Sequence, residues 1–159
     1  MERQLLTIYL SDHLSGASGA VKRLSAMASG YTDLAVHDDL VALAEQITQD
    51  RQSLLDTFKH VGVQPQRYKV VAGRLGETLR RLKPNGRIRS RPPLTPLVEI
   101  EAIQAGVVGK RNLWQTLGTH AYTLKLRDDH LTELDNRAKA QLEVLEHCHA
   151  ELARRAFSS

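Results

Sequence analysis

The sequence predicts an all-α protein: a four-helix bundle with an additional basic crossover helix, in one domain over residues 1–159. Three observations carry that expectation. Apolar residues recur at spacings of three and four along four long stretches, which is the period of a helix face and not of a strand. Two Phe, one Trp and four Tyr leave the core to Leu, Val, Ile and Ala, a mix suited to helices packed on helices. Turn signals are sparse, and the one clear irregular connection is the proline-rich segment from Lys83 to Pro96.

The first helix, about residues 2–28, has Leu6, Leu10, Ala17, Ala20, Leu24 and Met27 on one stripe, with His13 filling the gap between Leu10 and Ala17. Gly16 and Gly19 lower helix propensity, and close approach of a neighbouring helix is the usual gain from such small residues. A turn at Ser29 to Thr32 follows, with Thr32 or Asp33 able to cap the second helix, about 33–61. Its inner face reads Leu40, Leu43, Ile47, Leu54, Phe58 and Val61, interrupted by Asp50; Gly62 ends it. Pro65 opens a third helix to about residue 82, with Tyr68, Val71, Leu75, Leu79 and Leu82 on one side and arginines on the other. Thr95 and Pro96 start the fourth, about 95–117, through Ile100, Ile103, Val107, Trp114 and Leu117, with Lys110 in its gap. After a polar link from Gly118 to about Arg127, the last helix, about 129–156, carries Leu131, Leu134, Ala138, Leu145 and Leu152, with Gln141 and His149 filling its pattern.

Each long helix thus has a polar residue near the middle of its apolar stripe. Buried polar groups without partners are costly, so these residues are expected to meet one another, a water or an ion. A short first turn makes the first two helices antiparallel, which sets His13 opposite Gln49 and Asp50. The same counting on the last two helices sets Glu101 opposite Leu145 and Glu146. If the basic helix spans the bundle, Lys110 falls at the height of Asp50. Two layers follow: a buried polar layer of His13, Asp50, Lys110 and Gln141, and a candidate metal set of Glu101, Glu146 and His149. Each residue turns the helix by about 100°, so His147 and His149 cannot both line one site on a regular helix.

With the helix pairs, the inner acidic residues and Glu146-x-x-His149 in view, the chain resembles the ferritin-like superfamily. The stretches YLSDHLSG and VEIEAIQAGVVGKRNLW, the latter holding Glu99, Glu101, Lys110 and Trp114, are similar to a branch of small bacterial proteins of that kind. The resemblance implies a Glu on the first helix, Glu-x-x-His on the second, a Glu on the next and Glu-x-x-His on the last. This chain departs from that pattern. Asp12 and His13 stand where the first Glu belongs, Glu45 is followed three residues on by Thr48, and Lys110 brings a cation into the metal layer. A degenerate site is therefore expected, with no complete di-iron centre, no di-iron oxidase activity, and at most a single Fe, Mn or Zn ion.

The charge is uneven. Between Gln66 and Pro93 nine Lys or Arg face one acid, Glu77, so this segment carries +8 in a chain whose total is +4. An alternative function is an interaction protein that binds nucleic acid or an acidic partner through residues 67–91, with Arg80, Arg81, Lys83, Arg87, Arg89 and Arg91 as the anion-binding set. No nucleic-acid module is recognisable around them. The lone Cys148 rules out an intrachain disulfide and suits a small core position in a cytoplasmic protein. No apolar run is long enough to span a bilayer, so no membrane partner is expected, whereas a homodimer through helix faces is.

Overall fold

Apolar stripes on both sides of a short turn bring the first two helices together, and in the computed structural model they form an antiparallel hairpin. The structure describes residues 2–66 and 94–158. These form α1 (Arg3–Gly30), α2 (His37–Val61), α3 (Leu94–Thr119), the single-turn α4 (Ala121–Leu124) and α5 (Asp128–Phe157). No strand occurs among the described residues. The predicted basic helix, apart from Pro65 and Gln66, lies outside them, and those two residues are not helical.

α3 and α5 make the second antiparallel pair, with α4 in the link between them. α1 lies beside α3, and α2 lies beside α5. Directions follow from cross-contacts: Tyr9 Oη donates to Thr116 Oγ1 at 3.3 Å while Arg23 Nη1 meets Glu99 Oε1 at 2.8 Å, so α1 and α3 run oppositely. α2 and α3 therefore share a direction, and α2 ends at the opposite end of the bundle from the start of α3.

The core divides into two apolar clusters along the bundle axis. One gathers Leu24, Met27, Leu40, Leu43, Ile47, Ile100, Val107 and Leu145; the other gathers Leu6, Leu10, Leu54, Phe58, Leu113, Trp114 and Leu134. Asp50 and Lys110 sit where each helix passes from one cluster to the other.

Helix ends differ from expectation where tertiary burial overrides local signals. α2 begins at His37, not at Thr32 or Asp33, because Tyr31, Leu34 and Val36 are buried and hold the chain in a turn closed by Leu34 N–H to Tyr31 O and His37 N–H to Leu34 O. Asp38 and Asp39 in its first turn complement the helix dipole in place of a side-chain cap. Gly62 does end α2: its φ of 69° is left-handed, and its N–H closes on Lys59 O. The link after α3 is shorter than the polar composition suggests, because Ala121 is buried and the α4 turn covers the end of the core.

Candidate functional site

Asp50 projects from α2 between Ile47 and Leu54 and is 2% exposed, so its charge must be met by other side chains. Lys110 from α3 donates to Asp50 Oδ2 and to Gln141 Oε1 on α5. Gln141 Nε2 donates to the same Asp50 oxygen at 3.0 Å and to Gln46 Oε1 at 3.1 Å. Arg137, one turn before Gln141 on the same face of α5, forms an ion pair with Asp50 Oδ1 through Nη2. That contact lacks hydrogen-bond alignment, and Arg137 Nε and Asp50 Oδ1 have no hydrogen-bond partner among the described residues.

The layer thus sets two cations on one carboxylate. Burial pushes the Lys110 ammonium below its usual range, Asp50 opposes that shift, and Arg137 adds to it. Each polar atom of Gln141 is engaged with a neighbour from α2 or α3. Asp50 is almost wholly withdrawn from solvent, and the arrangement joins three helices.

His13 does not join this layer. Among the described residues it makes no hydrogen bond to Asp50, Lys110 or Gln141; its ring instead meets Tyr9 edge-on at 4.7 Å. Across the first hairpin Arg51 Nε donates to Ser18 Oγ at 2.9 Å. Half-buried, the His13 imidazole is held below its ordinary pKa by desolvation, with Asp12 acting in the opposite sense.

Of the candidate metal set Glu101, Glu146 and His149, two members meet. His149 Nε2 lies 3.2 Å from Glu101 Oε1, but the pair is on the surface, with side chains 40% and 50% exposed, and Glu146 is exposed a turn away. Among the described residues no group of three His, Cys, Asp or Glu could hold a metal ion. The second hairpin is offset by about one turn from the counted register, so Glu101 meets His149 and not the level of Glu146. The anion-binding set Arg80, Arg81, Lys83, Arg87, Arg89 and Arg91 lies outside the described residues.

Two polar features escaped the sequence reading. Arg137 flanks the apolar stripe beside Ala138, and its place in the Gln141 face was the available signal. Glu99, 6% exposed, accepts hydrogen bonds from the Tyr31 hydroxyl and Arg23, and so ties the turn after α1 to the start of α3. Its position beside Ile100 and four before Ile103 was the signal. Cys148 is fully buried, its thiol pushed up to about 12 by burial and by Asp39 Oδ2 at 3.9 Å, so it is a core residue and no nucleophile at neutral pH. Among the described residues no helix is long and apolar enough to cross a membrane. No protein-family model matches the chain, and no curated protein or solved structure matches it either.

Proposed function

We propose that this chain is a ferritin-like helical bundle of the cytoplasm in which an ion-paired core layer stands in place of a di-metal centre, and that it works as a non-enzymatic structural or interaction protein. The observation that carries the reading is the pairing of Lys110 and Arg137 with Asp50 at mid-bundle. Metal centres of that superfamily draw carboxylates and histidines inward from the four helices. Here the inward positions supply two cations, one carboxylate and an amide, which attract no further cation. The antiparallel pairs α1–α2 and α3–α5, with α2 and α3 in the same direction, support the ferritin-like part of the reading, since a long crossover distinguishes that bundle from the up-down-up-down form.

The test is metal analysis of untagged protein purified without chelating resin, joined to thermal unfolding with added Fe, Mn or Zn. The expected result is no stoichiometric metal and no rise in melting temperature. A copurifying metal, or a concentration-dependent rise on adding one, would overturn the reading.

A further inference from the structure

A groove of about 400 Å³ runs between the first turns of α1 and the end of α3. Its walls are apolar, with Leu5 and Ile8 from α1 and Leu117 from α3, and it is open along its length, so it would cover one side only of a small molecule. Leu5 is 59% exposed at its edge, and Tyr122, two residues beyond His120 on its rim, is 98% exposed. Exposed apolar side chains beside an apolar groove mark an interaction surface.

The polar residues of the groove say what fits. Asp12 lies toward one end and His120 toward the other, both exposed, and the hydrogen bond from Tyr9 to Thr116 lies between them. A carboxylate at one end and an imidazole able to donate a hydrogen bond at the other, with an apolar middle, are complementary to the same surface turned through 180°. We propose that this groove is the interface of a two-fold symmetric homodimer, in which Asp12 of each copy meets His120 of the other and Leu5 and Ile8 pack across the axis. A stable dimer buries roughly 800 Å² per partner, so the copies must lie along the first turns of α1 and the end of α3, not touch at Leu5 alone.

Analytical ultracentrifugation of the full chain from micromolar to millimolar concentration tests this. The native chain is expected to dimerise, and Ile8→Glu to raise the dissociation constant about tenfold or more by placing a charge in the apolar middle. Asp12→Lys and His120→Asp should each weaken the dimer, and the double variant should restore it. Circular dichroism checks that helix content is kept; if Ile8→Glu unfolds, the surface pair, which leaves the core untouched, carries the test. A monomer throughout, a dimer indifferent to a folded Ile8→Glu, or a double variant no better than the singles would overturn the proposal. Uptake of an apolar dye by a strictly monomeric protein would assign the groove to another occupant and overturn it likewise.

Discussion

Asp50 is the residue on which the mid-bundle layer depends, because among the described residues it is the acid that Lys110 and Arg137 share. Asp50→Asn is nearly isosteric but removes the charge that offsets two buried or half-buried cations. It should cost about 3–5 kcal/mol in chemical denaturation, the usual loss when one partner of a buried ion pair is removed. Lys110 makes a second prediction through pH. Its folded pKa lies below the ordinary lysine value of 10.5, so the unfolded chain binds the proton more tightly in the window between the two. The penalty for burying the ammonium is fully present below the folded pKa and is relieved as pH rises through it toward 10.5. Relative to Lys110→Met, the native chain should therefore gain stability as pH rises into the alkaline range. Denaturation midpoints of both proteins from neutral to alkaline pH check this; a constant difference would remove the pKa argument.

At the scale of the helices, glycine separates two kinds of position that composition alone does not. Gly62 ends α2 at φ 69°, and a Cβ there would also lie 3.2 Å from Arg3 Nη2. Gly62→Ala should destabilise by about 1 kcal/mol, since a side chain is strained in the left-handed region. Gly16 and Gly19 are the reverse case. Their spacing predicts close approach of a neighbour, but a Cβ at either meets nothing within 4 Å among the described residues. Gly16→Ala and Gly19→Ala should each stabilise α1 by about 0.5–1 kcal/mol, read as an upward shift in melting temperature.

For the whole molecule, the two apolar clusters could behave as one cooperative unit or as two. The layer between them ties α2, α3 and α5 at one level, and the four long helices among the described residues run through both clusters. Unfolding should therefore be a single transition. Trp114, 1% exposed in the cluster below the layer, reports that end, while far-ultraviolet circular dichroism reports all helices. Coincident denaturation curves are expected from the two probes. Curves that separate would mean that the clusters melt independently.

The four long helices among the described residues, their inner faces and the polar gaps at Asp50, Lys110 and Gln141 were legible from periodicity, because a polar residue on a stripe otherwise made of Leu, Ile and Val has few places to go but inward. Arg137 and Glu99 were legible as members of the core only from their places beside Ala138 and Ile100. They flank the stripes, and a long side chain can bring its charged end around a helix from a flanking position. The sequence by itself thus determined which faces turn inward and which kinds of side chain interrupt them. Register was decided only by the tertiary structure, and with it the placement of Glu101 against His149 and of Glu146 at the surface. The physical reason is that apolar stripes repeating every three to four residues can slide by about one turn and still bury Leu against Leu. Polar contacts between helices, Arg51 to Ser18 and Lys110 to Asp50 among them, select among those settings.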